Sequence, residues 1–186
     1  MAGRLAIRRA AALIRAGGVL AYPTESVWGL GCNPLDEDAV RRILAIKQRP
    51  ADTGFILIAA DYHQVRPWLK PVSHEIEARM TASWPGPVTW VAPAEPWVPD
   101  WVHGGRRTVA VRVTSHRLCA DLCRATGHAI VSTSANRSTR PAARTGAQVR
   151  RWFGGEVDLI LNGPTGGRDR PTEIRDAISG LRIRAS

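Results

Sequence analysis

Short apolar runs alternate along this chain with segments whose apolar residues recur every three or four positions, and that alternation leaves few folds open. The run at 55–59 (FILIA) has the length and β-branched content of a buried strand. Further strands are expected over 19–22, 88–92, 108–113, 129–133 and 157–161, with short strands added by the tail. Helical spacing predicts helices over 4–16, from Asp36 as cap to about Ile46, and over 73–81, 116–126 and 147–153. Gly17 and Gly18 stop the first of these. Helices interleaved with strands define an α/β class with a twisted mixed sheet and flanking helices. At 186 residues, without repeat, linker or low-complexity tract, the expectation is one domain over 1–186.

Several chemistries are excluded. No apolar stretch is long enough to cross a membrane, and Arg8, Arg9 and Arg15 interrupt any secretory core at the N-terminus. A cytoplasmic location is expected. Cys32, Cys119 and Cys123 form no C-x-x-C pair and the five histidines form no H-E-x-x-H, so no protein-held transition metal is expected. Cys119 and Cys123 share a helix face and read as buried thiols. There is no G-x-x-x-x-G-K-[ST] loop, and Gly29-Leu30-Gly31 lacks the third glycine of a dinucleotide fingerprint. Any nucleotide site must be built differently.

The formal net charge is +10, which suits phosphate-bearing partners. Only Lys47 and Lys70 are lysines, so the charge is almost all arginine. That makes Lys47 conspicuous. It continues the inward stripe of Val40, Ile43 and Leu44, and Pro50 ends the helix and projects Arg49 nearby. A last-turn cation satisfies the helix dipole. Two cations so close also invite an anion between them, and a lysine amid arginines points to a compact charge.

Four other segments carry polar chemistry. Tyr22-Pro23-Thr24-Glu25-Ser26 follows a strand and suits either a small polar ligand or a plain turn. Ser132-Thr133-Ser134-Ala135-Asn136 follows an apolar strand and suits a ligand loop or an Asx/ST turn. Arg112 interrupts the apolar strand TVAVRV and needs an anionic partner, either structural (Glu25 or an aspartate) or a substrate carboxylate. Pro171-Thr172-Glu173-Ile174-Arg175-Asp176 follows Arg168 and Arg170. The turn WPGPVT at 84–89 reads as scaffold.

In order, the segments YPTESVWGLG, KQRP, WPGPVT, TVAVRV, STSAN and PTEIRD resemble the threonylcarbamoyl-AMP synthase family, the YrdC-like proteins, in its short single-domain form. The resemblance spans almost the whole chain. It implies a positively charged concave face and, as ligands, ATP, L-threonine, bicarbonate and a magnesium ion carried on ATP without a dedicated protein site. The family's Lys-x-Arg and Ser-x-Asn tetrad falls on Lys47, Arg49, Ser134 and Asn136, implied to be catalytic. Threonine contacts are implied at Thr24, Arg112, Ser132 and Thr172, and nucleotide contacts at Lys47, Thr108, Ser134 and Arg168. The chain departs from the family pattern with Gly54-Phe55 in place of Pro-Leu, Thr172 in place of Ser, and RSTRPAART after the Ser-x-Asn loop.

The reaction so implied joins carboxylated threonine to the α-phosphate of ATP and releases pyrophosphate. A threonylcarbamoyl transferase complex acting on tRNA follows as downstream partner, with tRNA or double-stranded RNA as a further one. The same charge also fits a non-catalytic module that holds double-stranded RNA or tRNA through its phosphates. An inward lysine has no purpose in such a module. Carbamoyl-transfer domains of hydrogenase maturation proteins are related too, but lie within much longer chains.

Overall fold

The computed structural model describes residues 3–50, 52–169 and 172–184, so Arg170 and Pro171 of the last segment lie outside the described residues. The chain begins with helix α1 (Arg4–Arg15), which ends where Gly17 takes φ of +82°. Strand β1 (Leu20–Pro23) turns through Thr24–Val27 into β2 (Trp28–Gly31), and Asp36 then caps α2 (Glu37–Lys47) by accepting from the Ala39 N–H at 2.9 Å. There follow β3 (Ile56–Ala59), α3 (Tyr62–Val65), α4 (His74–Ala82), β4 (Val88–Pro93), α5 (Asp100–His103) and β5 (Thr108–Val113). The second half contains α6 (Arg117–Thr126), β6 (Ile130–Ser134), α7 (Gly146–Phe153), β7 (Leu159–Ile160), β8 (Glu173–Asp176) and β9 (Arg182–Arg184).

The strands among the described residues form one mixed sheet in the order β7-β1-β2-β6-β3-β5-β4-β8-β9. β3 runs parallel to β5 and antiparallel to β6, which brings Ile58 opposite both Arg112 and Ile130. The expected α/β class is observed. Among the numbered elements, β2, α3 and α5 were not expected. Two glycines deprive β2 of strand propensity, and its place is secured instead by pairing with β1 on one side and β6 on the other. The other two are single helical turns, too short to show a period. The expected strand over 157–161 shrinks to Leu159–Ile160. β6 extends to Ser134, so Ser132, Thr133 and Ser134 are strand residues and not the loop after it.

Side-chain alternation sends successive strand residues to opposite faces. Leu20, Tyr22, Ile58 and Ile130 pack on one face with Ile7, Ala10 and Ile14 of α1 and Cys119, Leu122 and Cys123 of α6. Ala21, Leu57, Val111 and Val131 join Val40, Ile43 and Leu44 of α2 on the other. Both helix thiols are fully buried, and burial pushes their pKa values up. No helix among the described residues is long and apolar enough to cross a membrane.

Where β1, β2 and β6 meet, Gly31 is a packing requirement. A Cβ there would stand 2.4 Å from the Val131 carbonyl oxygen and 2.7 Å from the Tyr22 hydroxyl, which itself donates to that carbonyl at 3.2 Å. Gly31→Ala is expected to destabilise the fold by about 1–3 kcal/mol. Urea unfolding checks this as a lowered midpoint with an unchanged slope.

Candidate active site

α1 and α6 cover one face of the sheet only in part. Beyond them, Thr108, Ala110 and Arg112 of β5, Ile56 of β3 and Ser132 of β6 form the floor of a cavity of about 590 Å³. Those β5 residues alternate with Val109, Val111 and Val113, which belong to the core on the opposite face. Thr24 and Ser26 of the β1–β2 turn, Lys47 at the end of α2 and Arg49 just beyond it, and Ser134, Asn136, Ser138 and Thr139 wall the cavity. Ile174 and Arg184 of the terminal strands line it as well. Five lining residues are Lys or Arg (Lys47, Arg49, Arg106, Arg112, Arg184), and no Asp or Glu lines it among the described residues.

The geometry at Lys47 follows from how α2 stops. Gln48 adopts a left-handed conformation (φ 53°), and the Arg49 N–H bonds back to the Leu44 carbonyl at 3.0 Å. This ending turns the chain so that both cations reach the cavity. Lys47 is 1% exposed. Its ammonium donates to the Ser134 carbonyl, to the Asn136 carbonyl at 3.0 Å and to Asn136 Oδ1 at 3.0 Å. Ser134 Oγ donates to that same Oδ1 at 2.6 Å. The Asn136 amide donates to the Arg137 and Arg140 carbonyls, fixing which of its ends faces Lys47. Burial, and then the neighbouring Arg49 charge, lower the Lys47 pKa to about 7. Arg49 donates to Thr133 Oγ1 at 3.2 Å, and its guanidinium lies 5.8 Å from the centre of the Phe55 ring. Burial lowers its pKa too.

Arg112 has a different set of partners. It is buried, 3.3 Å from Glu25 Oε2, and donates to Thr172 Oγ1 at 2.8 Å. Its structural partner is therefore Glu25, one of the two alternatives open from sequence. Its Nε is buried without a partner. Thr24 Oγ1 donates to the Val27 carbonyl at 2.7 Å, closing the β1–β2 turn.

Of the residues singled out from sequence, Lys47, Arg49, Ser134, Asn136, Thr24, Arg112, Ser132, Thr172 and Thr108 share this one cavity. Arg168 does not. It is exposed and outside the lining, because the segment carrying it is bound by backbone: Gly166 N–H donates to the Thr24 carbonyl and Arg168 N–H to the Glu25 carbonyl. Arg184 is the arginine that reaches the cavity from the C-terminal part. Its Nη2 donates to the Thr172 carbonyl at 3.0 Å, and burial and then Arg112 lower its pKa. Sequence reasoning missed it, as it missed His103 and Arg106. The alternation Arg182-Ile183-Arg184 was the available signal for a short strand with one charged face.

A mixed α/β sheet that opens on a cation-lined cavity defines a protein built to hold anionic ligands. The family model Sua5/YciO/YrdC, described as "Telomere recombination", matches residues 12–185, and the chain belongs to that family. It is 55% identical over 178 residues to the threonylcarbamoyl-AMP synthase of Halorhodospira halophila, covering 96% of this chain and 93% of that protein. The threonylcarbamoyl-AMP synthase of Nitrosococcus oceani is 54% identical, with 96% of each chain covered. Among solved structures, P. abyssi Sua5 complexed with L-threonine superposes with a TM-score of 0.88 at 37% identity, covering 94% of this chain and 51% of that one. The present chain thus spans about half the length of that relative. E. coli YciO superposes with a TM-score of 0.81 at 26% identity, covering 98% and 89%.

With two lysines in the chain, Lys47 can be observed directly. Its side-chain NMR signals are expected to titrate near 7. A like charge disfavours protonation, so Arg49→Ala is expected to raise the Lys47 value. An unchanged titration would show that burial acts alone.

Proposed function

We infer that this chain is a threonylcarbamoyl-AMP synthase, a nucleotidyltransferase of tRNA processing. It is 54–55% identical to two such synthases over nearly its full length. The observation that carries the chemistry is one cavity with two cationic stations. Lys47 and Arg49 are met by Thr133, Ser134 and Asn136, whereas Arg112 is met by Glu25 and Thr172. One station suits phosphate and the other an amino-acid carboxylate. We take residues 1–186 as a single domain working in the cytoplasm.

L-Threonine and ATP are the substrates, with bicarbonate as the third. Threonine places its carboxylate on Arg112. Thr172 Oγ1 accepts from Arg112 and so has its own proton free to donate to that carboxylate. Thr24 Oγ1 has spent its proton on Val27 and acts as an acceptor for the substrate hydroxyl. Ser132 lies on the floor near these groups. The substrate amine joins bicarbonate, losing water, to give a carbamate. A carbamate oxygen attacks the α-phosphorus of ATP in line, the bond to the β-phosphate breaks, and pyrophosphate leaves with its electron pair. Positioning and charge neutralisation carry the rate, with no covalent enzyme intermediate.

The hydrogen bonds divide the labour within the tetrad. All three Lys47 donors are committed to Ser134 and Asn136, so Lys47 acts on the reacting oxygens chiefly through its field. Arg49 has one bond to Thr133 and no carboxylate within 4 Å among the described residues, which leaves it to bond phosphate and carbamate oxygens directly. Ser134 and Asn136 hold Lys47 in place. Thr108 and Ser134 face the nucleotide, and Arg184 takes the role expected of Arg168.

For magnesium we propose no dedicated protein seat. The lining is cationic and hydroxyl-bearing, and Glu25, the carboxylate paired with Arg112, is engaged by Arg112 and Thr114. The ion is assigned to the ATP phosphates. The mixed anhydride product is labile and passes to a transferase complex that modifies tRNA. The net charge of +10 favours tRNA or double-stranded RNA as a further contact.

Pyrophosphate release is expected to require L-threonine, bicarbonate and ATP together, with threonylcarbamoyl adenylate detected by mass spectrometry. Lys47→Ala or Arg49→Ala is expected to lower the rate by about 100-fold or more while the fold survives. Near-normal turnover in either folded variant would refute the assignment. Folded protein that binds RNA without releasing pyrophosphate would favour the binding module.

A further inference from the structure

Glu25 is the only carboxylate within 4 Å of a Lys or Arg that lines the cavity, among the described residues, yet it does not itself line the cavity. It is 4% exposed and sits behind Arg112. Its Oε2 is 3.3 Å from Arg112 Nη2, and its Oε1 accepts from Thr114 Oγ1 at 2.6 Å. The Thr114 hydroxyl accepts from the His116 backbone N–H at 3.1 Å, so its single proton is directed at Glu25. The start of α6 therefore orients Thr114, Thr114 orients Glu25, and Glu25 orients Arg112. Thr172 and Thr89 hold the guanidinium's other terminal nitrogen at 2.8 and 3.4 Å. Burial alone would raise the Glu25 pKa. The Arg112 charge and the Thr114 hydrogen bond reverse this and keep it below the ordinary carboxylate value.

An unrestrained arginine loses side-chain freedom when it takes a ligand, and that entropy weakens binding. Here the guanidinium is held from two sides before any ligand arrives, while its Nε remains buried and unpartnered. Arg184 adds a second positive charge beside Arg112. The neighbourhood therefore stays attractive to an anion even with Glu25 counted against Arg112.

We propose that Glu25 is a positioning residue for the amino-acid substrate: it sets, with Thr114, the orientation in which Arg112 receives the substrate carboxylate. The proposal rests on Arg112 as the seat of that carboxylate. Glu25 touches neither substrate, so it acts on threonine binding alone. A pair that merely stabilised the fold would lower thermal stability and the active fraction without distinguishing between the two substrates.

The test is steady-state pyrophosphate release by the full chain carrying Glu25→Gln, Glu25→Asp, Thr114→Val or Arg112→Gln, with threonine and ATP varied separately. Glu25→Gln is expected to raise the threonine KM about tenfold to 100-fold while the ATP KM stays within about twofold. Glu25→Asp restores part of the loss, and Thr114→Val gives a smaller rise in the same direction. An unchanged threonine KM in folded Glu25→Gln, or equal rises for both substrates, overturns the proposal. If Glu25→Gln does not fold, Thr114→Val decides by the same criteria. Arg112→Gln separates the two levels of the argument. If it raises the threonine KM and Glu25→Gln does not, only the positioning role falls. If it leaves the threonine KM unchanged, the carboxylate seat lies elsewhere and both fall.

Discussion

The ammonium of Lys47, buried against oxygen acceptors with no carboxylate beside it among the described residues, is the contact on which the rest of this site depends. Moving a charged amine out of water is costly unless its protons are all bonded. Two carbonyls and an amide oxygen at the end of β6 do this. The same junction is closed from the other direction, since the Ser138 N–H donates to the Lys47 carbonyl at 2.7 Å and Arg137 donates to the Ile46 carbonyl at 3.0 Å. The end of α2 and the end of β6 are therefore one unit, and the cavity wall is that unit. A single side chain serves as both a structural tie and a source of positive field.

Electrostatics explains why the cavity suits its ligands. Among the described residues, five cationic side chains line it and no carboxylate does, so each raises the cost of charging its neighbours. Burial is the main cost to the charged forms of Lys47, Arg49 and Arg184, whose pKa values it lowers, and a neighbouring arginine adds to that cost at Lys47 and Arg184. An anionic ligand relieves it. Proteins concentrate such unfavourable arrangements at functional sites and offset them elsewhere. Here the offset is the two-faced apolar core on either side of the sheet. Phe55 contributes locally, because its ring lies beneath Arg49 where no carboxylate does.

Much of this was readable from the residues, for local reasons. Lys47 continued the inward stripe of Val40, Ile43 and Leu44, and the period of a helix suffices to place it inside. The cap at Asp36 and the stop at Gly17 are decided within a few residues of chain. Arg112 stood out because an arginine in an apolar strand must find an anion. The grouping of Lys47, Arg49, Ser134 and Asn136 as a tetrad came from the family resemblance and not from their spacing.

What the sequence by itself determined was the set of elements with strong periods, the inward lysine and the need of Arg112 for a partner. Which partner Arg112 took, and which arginine of the tail entered the cavity, were decided only by the tertiary structure. Glu25 meets Arg112 across 87 residues and Arg184 meets Thr172 from a neighbouring strand. The order of strands alone brings these groups together. β2 likewise exists through its two neighbours, despite its own glycines. Arg168 shows the same dependence in reverse: backbone bonds to the β1–β2 turn, invisible in composition or spacing, leave it outside the cavity lining. Local propensity and period act over a few residues, whereas the contacts that assemble this site join distant ones, and only the sheet topology specifies them.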